Sequence, residues 1–323
     1  MNNKNIQNII SNNKLGTIKD IELFDSSQNR VYKVTTDKGI FVIKEFSKDA
    51  IGNYYYLKKR KEQIRISNLL NKKGIFTVVP ISFNKSFFQY LNNHYYLIYN
   101  FVEEKPLKKE ELTIEHIKKL ATIQSRIHKL NIKNTLTCSY KNIKIDLVKQ
   151  LNVAKKVSND LYHVLDSNKN ILEEIINNCN NKTKIMKNNL CISHNDYKLL
   201  NILWKINEVK LIDFDAMGLS NPTCSLCESA YTFSKNPKSI NYDFYKEYLE
   251  AYIKEYGPIK ENYLDALYAS FNGKLQWLSY MFSKNYLKKN NYIDETISMI
   301  NELVTYYNNV DRFNGIYLKI INK

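Results

Sequence analysis

The stretch from residue 193 to residue 215 constrains this chain more than any other. It runs Ser193-His194-Asn195-Asp196-Tyr197-Lys198-Leu199-Leu200-Asn201, then an apolar run over 202–206, a polar Asn207-Glu208, a second run over 209–212, and Asp213-Phe214-Asp215. Two short apolar runs joined by two polar residues predict a β-hairpin. The ends of a hairpin lie side by side, so Asn201 and Asp213 approach each other. A carboxylate and an amide oxygen so placed suit Mg²⁺, which takes few protein oxygens and completes its shell with phosphate and water. Asp196, five residues before Asn201, falls on the loop entering the hairpin. There it can hold a substrate hydroxyl in line with a metal-bound phosphate. Each acid also has a plainer reading, Asp196 as a loop cap and Asp213 or Asp215 as a turn former. Two matched stretches at hairpin spacing favour the catalytic one.

A chain of 323 residues predicts two domains or one bilobal unit. No apolar run approaches the ~18 residues that span a bilayer, and the Asn-rich residues 1–14 lack the apolar core of a signal peptide. Five cysteines fit a reducing cytosol better than a disulfide framework. The net charge of +16 invites a nucleic-acid reading. Its basic residues are spread along the whole chain, however, and no nucleic-acid module is legible. The expectation is therefore a cytoplasmic protein with no nucleic-acid or membrane partner, its oligomeric state left open.

Residues 20–46 read as three strands. The third, with Ile40, Val42 and Lys44 on one face by period-two alternation, sets a lysine at the end of an apolar row. From there Lys44 can reach phosphates while Val42 packs on a base. A charged helical stretch over 54–71 ends near Gly74, and its Lys58-Lys59-Arg60-Lys61 run reads as a solvated face. Residues 78–83 and 87–90 are short strand candidates. The strand over 94–102 enters a polar link at 103–106, where a lobe boundary belongs. From Leu107 the pattern is helical, with Thr113 capping a core helix whose His128 reads as structural.

The H-x-D-x₄-N stretch at 194–201 and the strand ending in Asp213 resemble kinase catalytic and metal-binding loops. The wording HNDYKLLNILW with LIDFD is similar to the aminoglycoside phosphotransferase and choline kinase superfamily, where HGDxxxxN and IDFE variants are usual. FVIKEF resembles the strand that holds the ATP lysine, and SQNRVYKV resembles the superfamily's "ggeNrvY" loop. FNGKLQWLSYMFSKN is closest in wording to the CotS-like spore-coat branch. The resemblance implies that Ser27 and Asn29 help cover the phosphates and that Glu62 pairs with Lys44. It also places the adenine edge on the Asn100 carbonyl and the Val102 amide, with Tyr99 behind the base. Residues 131–189 correspond to a helical, substrate-binding insertion. Where the family has Asp-Leu after its G-(D/N)-P turn, this chain has Ser225-Leu226, which lacks the usual brace of the catalytic loop. Cys224, Cys227, Cys191 and His194 read as buried thiols and a loop histidine rather than a zinc site.

These readings imply an α+β, bilobal, protein-kinase-like fold, with a small β-rich nucleotide lobe over 1–103 and a larger, mainly helical catalytic and substrate lobe over 104–323. The implied reaction is ATP- and Mg²⁺-dependent phosphorylation of a small-molecule hydroxyl, with GTP the alternative nucleotide. Asp196 would accept the hydroxyl proton and Lys198 would neutralise the γ-phosphate. Asn201 and Asp213, aided by Asp215, would hold the metal. The rival reading is a CotS-like spore-coat or scaffold protein that binds nucleotide with little turnover. Lys274, Lys284, Lys288 and Lys289, with no acid over 274–292, predict that polycationic aminoglycosides are poor substrates and that a neutral or anionic alcohol is preferred.

Overall fold

Alternating apolar side chains over 30–45 bury one sheet face completely and leave Val42 and Lys44 on the other. The computed structural model describes residues 2–24, 29–46, 54–206, 208–237, 239–283 and 290–322. It divides into two compact units, the first made of Met1–Leu107, Lys133–Leu136 and Leu200–Asp215, the second of Lys108–Ile132, Thr137–Leu199 and Ala216–Lys323. Ser27 lies outside the described residues, as do Lys284, Lys288 and Lys289.

In the first unit, strands Ile18–Phe24, Arg30–Thr36, Gly39–Glu45, His94–Asn100 and Gln89–Leu91 form one antiparallel sheet in that spatial order. On one face Tyr32, Val34, Phe41, Ile43, Tyr96 and Ile98 are buried against Ile6, Ile9 and Ile10 of the helix Asn2–Asn12. That helix was not legible in the Asn-rich start, yet its three isoleucines sit at the spacing of one helical face. Residues opposite each other across a ladder share a face. The pairings Val42↔Tyr99 and Lys44↔Leu97 therefore place these four on the other side. There Leu97 packs with Phe46 and with Ile64 of the helix Tyr54–Lys72.

The expected hairpin is present: Ile202–Lys205 pairs with Glu208–Leu211, Ile202 opposite Leu211 and Lys205 opposite Glu208. Lys105–Pro106 adds a third strand beside Leu203 and Trp204. Residues 78–83 form no strand; Val78 instead donates its N–H to the Leu211 carbonyl at 3.0 Å, fastening the hairpin within the first unit.

The second unit is mainly helical. Thr113 caps Ile114–Lys129, its Oγ1 accepting the His116 N–H at 3.3 Å. Ile117, Leu120, Ala121 and Ile127 line that helix's buried face. Much of the core is tyrosine. Tyr231 stacks on Tyr306 and Tyr263 on Tyr317, each with ring centres 4.1 Å apart. A buried phenol needs a hydrogen-bond partner, and the core supplies them: Tyr245 meets Tyr263 at 2.7 Å, Tyr306 meets Ser270 at 2.8 Å, and Tyr248 donates to Gln124 at 2.8 Å. A two-stranded ladder, Cys191–Ser193 with Gly218–Ser220, delivers the chain to Asp196.

Candidate active site

The first unit gathers a charge cluster at the open end of the hairpin. The Ile212 N–H bonds to the Asn201 carbonyl at 3.0 Å, one step beyond the Ile202–Leu211 pair, so the ladder holds residues 201 and 213 close together. Asp213 has φ of 58°, a left-handed backbone that Asp tolerates better than most residues. Lys44 Nζ lies 2.9 Å from Asp213 Oδ1 and 2.8 Å from Asp215 Oδ2. Arg60 Nη1 lies 2.8 Å from Asp215 Oδ1, and Asn29 Nδ2 donates to Asp215 Oδ2 at 3.2 Å. Burial works against the Lys44 ammonium, but the Asp215 and Asp213 carboxylates outweigh it and hold its pKa above the usual lysine range. Burial likewise pushes the neighbouring Tyr99 phenol up. Asn29, Lys44, Asn201, Asp213 and Asp215 thus belong to one unit.

Glu62 does not hold Lys44. Its carboxylate binds Arg65 at 2.8 and 2.9 Å and accepts the Thr135 N–H at 2.9 Å. Glu62 and Arg65 point to one side of the helix, whereas buried Arg60, Gln63 and Ser67, at i, i+3 and i+7, occupy the side turned inward. The run Lys58-Lys59-Arg60-Lys61 is therefore not uniformly solvated. Arg60 is buried, its guanidinium over the Tyr56 ring at 4.6 Å and bonded to Tyr56 Oη at 2.7 Å. Sequence reasoning missed Arg60 and Gln63; only their helical spacing relative to Ile64 could have pointed to them.

Val42 is half-buried opposite Tyr99, and Asn100 ends its strand exposed, paired with Phe41. Val102 follows in irregular backbone, where the Phe101 N–H bonds to the Ile40 carbonyl at 3.0 Å. Asn100 and Val102 therefore frame the end of the sheet at the link to residue 105.

In the second unit Asp196 is half-buried, and Lys198 Nζ lies 2.9 Å from Asp196 Oδ1. Asn195, where the superfamily has glycine, adopts φ of 60°, a conformation open to Asn at modest cost. Its amide bonds to Ser139 Oγ at 2.7 Å and the Ala216 carbonyl at 3.2 Å, and its side-chain oxygen accepts from Ser220 at 2.7 Å. Gly218 leaves room beside it, because a Cβ there would force Ser139 Oγ to move away. Tyr197 donates to the Leu120 carbonyl at 3.1 Å. Ser225 replaces the expected carboxylate within a neutral chain: Ser225 Oγ meets Ser193 Oγ at 3.2 Å, Ser193 meets His128 Nε2 at 3.0 Å, and His128 Nδ1 meets Tyr252 Oη at 2.6 Å. The loop is braced without the missing acid.

Of the lysines expected to repel polycations, Lys274 is described and is ion-paired. Glu302 binds Lys274 at 2.9 Å and Lys235 at 2.5 Å. Burial raises the pKa of Glu228, which Lys274 partly offsets and Asp196 and Glu302 reinforce. Lys274 is thus neutralised by Glu302, while Lys284, Lys288 and Lys289 lie outside the described residues. Cys224 and Cys227 are buried free thiols, and among the described residues no three His, Cys, Asp or Glu side chains converge as a metal-holding group. No helix among the described residues is long and apolar enough to cross a membrane.

The sequence model of the phosphotransferase enzyme family matches residues 20–263. The chain belongs to that family. No curated protein sequence matches it. Among solved structures, a spectinomycin phosphotransferase in complex with ADP and spectinomycin is similar at 12% identity, covering 94% of this chain and 98% of that one, with a TM-score of 0.70. A choline kinase from Streptococcus pneumoniae matches at 14% identity over 94% and 99%, TM-score 0.63. An amicoumacin kinase bound to AMP-PNP and Ca²⁺ matches at 13% identity over 92% of each chain, TM-score 0.61. At these identities the likeness establishes the kinase-like fold.

Proposed function

We propose that this phosphotransferase moves the γ-phosphoryl group of Mg²⁺-ATP, or of GTP in its place, to a hydroxyl of a small molecule in the cytoplasm. The observation that supports it best is the clamp at the hairpin end, Lys44 on Asp213 and Asp215, with Asp196 five residues before Asn201 in the same stretch. Residues 1–103 and the hairpin are assigned to the nucleotide, and the rest of 104–323 to the acceptor. The donor set suits Mg²⁺: hard oxygens from Asp213 and Asn201, whose backbones are tied by the ladder. When bound, the ion would neutralise phosphate charge.

This chain's residues supply the rest. Asp196 orients the acceptor hydroxyl and takes its proton as the oxygen attacks phosphorus. Lys44 is kept charged by its carboxylates and turns toward the α- and β-phosphates. Lys198 neutralises charge on the transferred group. Asn100 and Val102 offer backbone groups to the base, with Val42 and Tyr99 against it, and Asn29 and Ser27 belong to the loop that covers the phosphates.

Glu228 favours an acceptor that bears a cationic amine. Burial, Asp196 and Glu302 push its carboxyl pKa up and Lys274 and Lys235 draw it down; a bound cationic amine would act in the same sense as those lysines. The test is a coupled ADP-release assay over amino alcohols, choline, spectinomycin and neutral polyols. At least one amine-bearing acceptor should raise turnover to a kcat/KM of about 10⁴ M⁻¹s⁻¹ or more. Acceptor-independent rates throughout, equal to those of Asp196→Asn, would overturn the proposal.

A further inference from the structure

We infer that Asp215 is not a metal ligand but the residue that orients Lys44, and that Arg60 is the positioning residue that holds Asp215 in place. The inference rests on the nucleotide reading above and concerns the first unit alone. A lysine aimed at phosphates must be kept charged and directed, since a flexible four-carbon stem otherwise samples many rotamers. Glu62 cannot do this, because Arg65 and Thr135 occupy it. Asp215 can.

The contacts of Asp215 separate it from Asp213. One oxygen, Oδ1, faces Arg60 at 2.8 Å, and the other, Oδ2, faces Lys44 at 2.8 Å and Asn29 at 3.2 Å. The Gln63 amide donates to the Asp215 backbone carbonyl at 3.1 Å, so side chain and main chain are both anchored. Both carboxylate oxygens are thereby committed to cations and an amide, and a metal would have to displace them. Asp213 is the more open acid, its side chain 38% exposed against 25% for Asp215, and it continues from the strand beside Asn201.

Arg60 is itself rigidly set. Its Nη1 also meets Gln63 Oε1 at 3.0 Å, its Nη2 meets Tyr56 Oη at 2.7 Å, and its plane lies over the Tyr56 ring and, at 5.7 Å, near Phe46. A planar, stacked guanidinium is a better fixed strut than an ammonium. The helix thus presents a cation where a kinase-like helix was expected to present an acid, and the carboxylate between the two cations comes from the hairpin.

Calorimetric titration of ADP into the full chain, at saturating Mg²⁺ and again in EDTA, tests the inference. Asp215→Asn should weaken ADP binding by roughly tenfold in both conditions, as expected for one misdirected charge-assisted contact, and leave the Mg²⁺ concentration for half-maximal binding unchanged. Arg60→Gln should reproduce that pattern and Arg60→Lys should restore only part of it. Adding Arg60→Gln to Asp215→Asn should cost little more, because both act through Lys44. Melting curves identify any variant that is unfolded, and the folded member of the pair then decides. A loss confined to the Mg²⁺ titration, with a raised Mg²⁺ requirement, would make Asp215 a metal ligand and overturn the assignment alone. Failure of the unaltered chain to bind ADP in either condition would overturn the nucleotide reading, and the assignment with it.

Discussion

The two units hold their key residues by opposite means. In the first, full charges meet: Lys44 and Arg60 against Asp213 and Asp215. Under the Asp196 loop of the second, neutral groups do the holding: His128 with Tyr252 and Ser193, Ser193 with Ser225, and Asn195 with Ser139 and Ser220. Burial pushes the His128 pKa down to about 3, so its imidazole stays uncharged. The contrast fits the roles proposed for the two regions. A clamp for a polyanion needs cations kept charged and able to exchange partners. A loop that must keep one shape is more cheaply built from hydrogen bonds, because a buried charge without a partner costs several kcal/mol.

Asp196→Asn should give the largest effect and the sharpest separation of the two regions. Turnover should fall by about 10³-fold, within the range for losing a general base, while nucleotide affinity stays close to that of the unaltered chain. Parallel loss of affinity in calorimetry would dissolve the division of labour. Next, Asp213→Ala should weaken nucleotide binding at saturating Mg²⁺ by roughly tenfold, through a lost charge-assisted contact. Equal affinities would show that Asp213 does not serve the metal.

Acid should expose the neutral region. A histidine with a depressed pKa binds fewer protons folded than unfolded, so stability rises with pH between its folded and unfolded values. His128 therefore contributes stability that is complete above about pH 6.5 and is lost as pH falls toward 3. Between pH 6.5 and 5 the loss should reach about 2 kcal/mol, seen in urea melts and flattened in His128→Gln. An unchanged slope in that variant would locate the acid sensitivity elsewhere. The smallest effect belongs to Glu62→Gln. Because Glu62 is spent on Arg65 and Thr135, nucleotide affinity should change by less than about twofold, and stability by about 1 kcal/mol or less. A large loss of affinity would restore Glu62 as the partner of Lys44.

What could be read from the sequence follows the same contrast. The positions of Lys44, Asn201 and Asp213 on strand and hairpin were legible because strand alternation and hairpin spacing are short-range rules that need no knowledge of the tertiary fold. Arg60 was hidden in a basic run, since only packing on Tyr56 and the hairpin decides which of four neighbouring cations turns inward. Glu62 was misplaced for the same reason: a helix offers an acid to several neighbours, and Arg65, one turn on, was available. The helix Asn2–Asn12 was concealed by poor local propensity and is stabilised by burial of Ile6, Ile9 and Ile10. Ser225 read as a lost brace because sequence shows a missing carboxylate, not the Asn195 hydrogen bonds that take over its task.

Phosphorus NMR on the full chain with Mg²⁺-ATP and the amine-bearing acceptor pool tests the central claim most directly. The account predicts that the γ-phosphorus signal is replaced by a phosphate monoester signal in step with ADP, and that Asp196→Asn abolishes this exchange while still binding nucleotide. Release of inorganic phosphate alone, or ester formation at the same rate in Asp196→Asn, would contradict it.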